Sequence, residues 1–178
     1  MKIHSHFLLA DELIGLHSSA LGDDFVAYRN HVCRVLNYTL ALTGHPSPST
    51  AILVASAFHD LGIWTHRTFD YLPPSVELAK SWLSAHGLDA LEEEVRAIIS
   101  EHHKLRPYTG RFSSSVEAFR KADLVDLSLG AIRFGLPAAF VRAVRAAFPN
   151  AGFHRLLARL TARQFVRSPL RPLPMVRW

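Results

Sequence analysis

The sequence predicts an all-α protein. Three observations point there. Apolar residues recur at helical spacing in successive windows, no stretch alternates in the manner of a strand, and Gly, Pro and Ser clusters punctuate the chain at short intervals. No internal repeat is visible. The 178 residues suit one domain: a bundle of seven or eight helices with an irregular Pro-rich C-terminal tail.

The elements follow in order. A short helix is expected over 8–20 and a longer one over about 24–43, where Phe25, Tyr28, Val32, Val35, Leu36 and Thr39 share a face. "GHPSPST" breaks the chain, and Ser49 or Thr50 can cap a third helix over about 50–61. That helix is apolar on nearly every side, as a central buried element should be, and is expected to stop at Gly62. "DYLPPS" reads as a loop, with Ser75 capping a helix over 76–86 that Gly87 ends. "DALE" and "SSVE" have the spacing of capping boxes and open helices over 90–103 and about 115–130. The basic loop "KLRPYTGRFSS" lies between them. Pro137 suits the first turn of a helix over 137–147, and a last helix covers 152–166. The tail, 167–178, holds three prolines and cannot continue as helix.

Composition narrows the function classes. With 49% hydrophobic residues a sizeable core is available, and no apolar run reaches the roughly 18 residues of a membrane span. The start of the chain lacks the basic opening and small-residue cleavage site of a signal peptide, and one cysteine, Cys33, suits a reducing cytoplasm. The net charge of +5 is unevenly spread: residues 1–126 hold all 15 acids, while 127–178 hold nine Arg and no acid. Arg155, Arg159, Arg163 and Arg167 stack along one helix face. A solvated face, or one packed beside the acidic half or a second subunit, is the favoured reading. Nucleic acid is the less favoured partner, and a homo-oligomer is open.

Eleven histidines make metal chemistry worth testing. His31 lies three residues after Tyr28 and four before Val35, so it faces inward. His59 follows Ile52, Ala55 and Ser56 at inward spacing, His102 follows Val95, Ile98 and Ile99, and Asp123 follows Val116 and Phe119. Buried carboxylates at Asp60 and Asp123 need a cation or donors, and no Lys or Arg is expected at inward spacing on the second or third helix to neutralise Asp60. One divalent ion would satisfy both acids and both histidines. The mixed donors suit Mn, Fe, Co, Ni or Zn better than Ca.

The order His31, His59-Asp60, Asp123 on helices resembles the HD-domain superfamily of metal-dependent phosphohydrolases. "AFHDLG" is similar to its central motif, "YRNHVCRV" to its first-histidine helix, "IISEHHK" to a later histidine helix and "FRKADLVDLSLG" to the final-aspartate helix. The resemblance covers about 24–130, leaving an Arg-rich helical part over 131–166. It implies that His31, His59, Asp60 and Asp123 bind one metal and that the reaction is hydrolysis of a phosphate ester such as a nucleotide. Members with two metals place a further histidine where this chain has Pro74 and Ser75, so one ion is expected rather than two.

Within that reading Asp60 would orient the water, and His102 or His103 would hold the phosphoryl group or protonate the leaving group. Lys104, Arg106 and Lys121 would grip phosphate oxygens, and Asp126 would accept from a ligand histidine. Trp64, Phe69 and Tyr71 could stack on a substrate ring from a lid, and packing in the core or an interface is an equal reading. The same residues also admit a di-iron oxygenase, a small-molecule hydratase, or a non-catalytic metal-stabilised module whose Arg-rich half binds an acidic partner.

Overall fold

A computed structural model describes residues 1–170 and 173–176. These residues form ten α-helical segments and no strand: α1 (Leu8–Leu16), α2 (Ser18–Leu21), α3 (Phe25–Thr43), α4 (Thr50–Phe58), α5 (Gly62–Thr65), α6 (Leu72–Ala85), α7 (Glu92–Glu101), α8 (Ser113–Leu127), α9 (Ala138–Ala147) and α10 (Phe153–Arg167). No helix among the described residues is long and apolar enough to cross a membrane.

The centre of the bundle is α3 rather than α4 alone. Almost every side chain from Ala27 to Leu40 is buried, including Asn30, His31, Arg34 and Asn37, and α3 packs most extensively on α8. Burying a large apolar side chain such as Leu36 or Phe58 contributes about 1.5–3 kcal/mol. Buried polar residues gain less and need partners. α4 lies across α3 and is covered by α1 and α7, while α6 packs on the outer side of α7. Ser49 caps α4 as expected, its Oγ accepting from the Ile52 N–H at 3.2 Å.

Several boundaries differ from the sequence expectation, each for a local reason. The first helix breaks at His17, giving α1 and the single turn α2. α4 ends at Phe58, and His59, Asp60 and Leu61 continue in tighter turns, with the Leu61 N–H donating to the Phe58 carbonyl at 3.0 Å. Gly62 therefore begins α5 instead of stopping α4. A Cβ there would lie 2.5 Å from the Tyr71 carbonyl oxygen.

α6 starts at Leu72, because prolines fit a first helical turn, whose N–H groups need no intrahelical partner. Ser75 is thus inside the helix, where its Oγ accepts from the Gly62 N–H at 3.0 Å instead of capping. Neither capping box forms. Asp89 opens a 3-10 turn before α7, and α8 starts from Phe112, whose φ is 65°. Pro137 sits just before α9 in an extended conformation. In the tail, Ser168, Pro169 and Leu170 leave the helix, and Met175 is buried. The expected irregular tail also includes Arg171, Pro172, Arg177 and Trp178, which lie outside the described residues.

Candidate metal centre

Four helical elements deliver the polar cluster. α3 supplies His31, the turn after α4 supplies His59 and Asp60, the end of α7 supplies His102 and His103, and α8 supplies Asp123 and Asp126. All are buried except His103, which is partly exposed.

Hydrogen bonds at the outer edges of the rings determine how the imidazoles face the centre. His31 Nδ1–H donates to Asp126 Oδ2 at 2.7 Å, His59 Nδ1–H to the Ser56 carbonyl at 2.8 Å, and His102 Nδ1–H to the Ile99 carbonyl at 2.7 Å. An imidazole that spends its one N–H this way leaves its Nε2 as a lone pair. Three Nε2 lone pairs consequently converge on Asp60. His31 Nε2 and His59 Nε2 are 3.0 Å apart, and Asp60 Oδ2 is 3.4 Å from His59 Nε2 and 3.7 Å from His31 Nε2. Asp123 Oδ1 approaches His31 Nε2 at 3.5 Å, while Asp60 Oδ1 faces His102 Nε2 at 3.5 Å.

The distances can be compared with a coordination sphere. Donor atoms held about 2.0–2.2 Å from one ion are themselves roughly 3–3.5 Å apart. His31, His59 and Asp60 fall on or close to that scale, and their donor atoms all lie within 4.8 Å of one another. Asp60, His102 and His103 form a second set on the same criterion, so the two oxygens of Asp60 serve two groups of histidines.

Two lone pairs at 3.0 Å repel unless a cation or a shared proton lies between them. Asp60 Oδ1, His102 Nε2 and Asp123 Oδ2 are also buried without a hydrogen-bond partner among the described residues. Leaving such atoms unmatched costs about 1–3 kcal/mol each. A cation between His31, His59 and Asp60 would remove the repulsion, and a cation or proton on the His102 side would match the unpartnered atoms, so the residues present could hold a metal ion.

The electrostatics agree. Burial pulls the His31 imidazole down to about 4 despite the Asp126 carboxylate beside it, so its Nε2 is free of a proton at neutral pH. Burial pushes Asp123 well above the usual carboxylate range, with the charges of Asp60 and Asp126 adding to the push. Burial would raise Asp60 as well. With a proton shared into the metal-free cluster, in the place a cation would otherwise take, the charges and hydrogen bonds of His59 and His102 outweigh it and hold the carboxyl low. Two neighbouring carboxyls in a dry site cannot both carry an uncompensated charge.

Behind the cluster, Asp126 accepts from His31 and from Arg34, whose Nε and Nη2 lie 2.5 and 2.8 Å from its two oxygens. The sequence expectation for Asp126 matches this geometry. Arg34 corrects the expectation that α3 turns no cation inward. It is buried, but it neutralises Asp126 and not Asp60. Its spacing of three residues from His31 was the available signal. α10 presses on the same residues: the Phe153 ring stacks on His31 at 4.1 Å, and His154 Nε2 donates to the Asp126 carbonyl at 3.0 Å.

The remaining site residues expected from sequence separate into two groups. His103 Nδ1 is 3.7 Å from Asp123 Oδ2, and Lys104 lines a cavity with His102, His103 and Asp123 while its Nζ lies 3.5 Å from Glu101. Arg106 is exposed beyond the end of α7. Lys121 turns outward, its Nζ 3.7 Å from Glu117 and above the Phe134 ring. Trp64 packs on Tyr28 at 4.9 Å and donates to Asp24 at 3.0 Å, which leaves it little freedom to act as a lid. His86 is stacked on Trp82 at 4.1 Å and lies outside the cluster.

For Tyr71 the structure selects packing over a lid: it is buried against the centre, its hydroxyl 2.6 Å from His103 Nε2. Comparison with protein-family models, with curated proteins and with solved structures returned no match.

Proposed function

We propose that the protein is a metal-dependent hydrolase of phosphate esters, with His31, His59, Asp60 and Asp123 holding a divalent transition-metal ion. The observation that carries this reading is the convergence of three Nε2 lone pairs, each fixed by an outer Nδ1–H bond, on a buried carboxylate. The motif order resembles the HD-domain superfamily, which supports hydrolysis over simple metal storage. A divalent ion bound there would lower the pKa of a water molecule and polarise a phosphoryl oxygen.

The chain's own residues would do the rest. Asp60 accepts a proton or hydrogen bond from the attacking water, and His102 orients the phosphoryl group from the α7 side. His103, held by the Tyr71 hydroxyl, faces the partly open side; burial keeps it well below the usual imidazole range, so it would hydrogen-bond a leaving oxygen through its remaining N–H. Lys104, at the cavity wall, attracts the anion.

One observation favours a second ion. The two oxygens of Asp60 face different histidines, and a carboxylate divided in this way can bridge two cations. Elemental analysis of protein purified without added metal would test both versions. One ion per chain, lost in Asp60→Asn, with turnover of generic phosphate esters abolished in His59→Ala, supports the single-ion hydrolase. Two ions per chain support the bridged centre, and none under any loading condition defeats the proposal.

A further inference from the structure

The metal centre is buried, yet a hydrolase needs an entrance. The cavity that reaches it has a volume of about 130 Å³ and is lined by His102, His103, Lys104, Asp123 and, from the far end of the chain, Val176. Four larger cavities of the described residues, with volumes of 320, 370, 420 and 500 Å³, are lined by none of the cluster residues. The entrance is therefore closed partly by a segment more than 50 positions beyond Asp123 in sequence.

That segment is seated rather than draped. Met175 is buried at 5% exposure in a small apolar cluster with Ile63, Tyr71 and Leu72, and Leu157 and Leu160 of α10 border the same cluster. Tyr71 links the seat to the centre, since its hydroxyl meets His103 Nε2. Before the seat, Leu170 is fully exposed and Leu173 is 45% exposed. Few buried contacts and exposed flanks are the marks of a segment that opens more easily than the core around it.

We propose that residues 173–176 form the outer wall of the substrate chamber, with Met175 as the anchor and Val176 as the limit on size. This rests on the hydrolase reading and sharpens it. Sites for drug-sized molecules usually exceed about 300 Å³, and the closed chamber holds less than half of that. With the wall seated, the chamber admits a group of phosphate size. A larger ester, such as a nucleoside monophosphate, enters by displacing the wall.

Carbethoxylation of His103 by diethyl pyrocarbonate, followed by mass spectrometry, reads the entrance without any metal. Met175→Asp places a charge in the apolar seat and should raise the labelling rate about tenfold or more. Met175→Ala should give a smaller rise and serves if the Asp variant does not fold. Leu170→Asp, at an exposed tail position, should leave the rate unchanged. In metal-loaded protein Met175→Asp should also hasten loss of the ion to EDTA. Equal labelling in wild type and both Met175 variants overturns the wall. Faster labelling in a protein that takes up no metal keeps the wall and removes the hydrolase reading, while metal uptake with equal labelling does the reverse.

Discussion

Two regions of the molecule handle charge in opposite ways. In α3–α8 the charged and imidazole groups that define the centre are buried, and each outer atom is matched: Asp126 to His31 and Arg34, His59 to Ser56, His102 to Ile99. In α9 and α10 the charged residues are all Arg and most face water. Arg155, Arg159, Arg163 and Arg167 are all exposed, and the one buried side chain of α10 is Phe153. The difference teaches that burial with matched partners, and not charge density, sets the candidate metal centre apart. Solvent takes most of the value out of an exposed guanidinium, whereas a dry interior makes every mismatch expensive.

The contrast can be broken most sharply at Asp126. Asp126→Ala leaves the Arg34 guanidinium buried without its partner and should cost about 3–5 kcal/mol, read as a lowered urea midpoint. A loss below 1 kcal/mol would mean that the buried network is not what separates the two regions.

Metal loading comes next. At a thousand times its dissociation constant an ion that binds only the folded chain adds about 4 kcal/mol, so the melting temperature should rise with Mn or Zn and should not rise in Asp60→Asn. Loading should also release a proton. Burial and the charges of Asp60 and Asp126 raise the Asp123 pKa, so the metal-free carboxyl retains its proton to higher pH than usual. The release should therefore shrink as pH climbs past that raised value. Calorimetry in buffers of different ionisation enthalpy measures it, and identical heats in all of them would contradict the arrangement.

Phe153→Ala tests the contrast from the other side, because it touches α10 where its one buried side chain meets the centre. Loss of a buried ring that stacks on His31 should cost about 3 kcal/mol and loosen metal binding with it. The smallest effect is expected from Arg159→Gln, an exposed change that should alter stability by no more than about 0.5 kcal/mol. A larger loss would show that the arginine face is structural after all.

Much of the centre is legible in the sequence, because inward spacing on a helix is a strong geometric statement. His31, His102 and Asp123 follow apolar residues by three, four or seven positions, and the structure brings them together with His59 and Asp60. What is not legible depends on contacts distant along the chain. Arg34 carries the same inward spacing as His31, but the partner that explains it, Asp126, is 92 residues away. Tyr71 is hidden because "LPPS" looks like a loop when the prolines are taken as breakers. In the structure they begin α6 and turn Tyr71 into the core. The failed capping boxes have a related cause, since a 3-10 turn or a left-handed residue fills the position where the cap would act.

The contact between Gly62 and Ser75 has a consequence for how this centre can change. The Gly62 N–H is satisfied by Ser75 Oγ, and the glycine has no room for a side chain against the Tyr71 carbonyl. The turn that presents Asp60 is thus latched to the first turn of α6 by Ser75. The latch can be opened without touching the cluster itself: Ser75→Ala leaves the buried Gly62 N–H without its acceptor and unties the turn that carries Asp60 from α6.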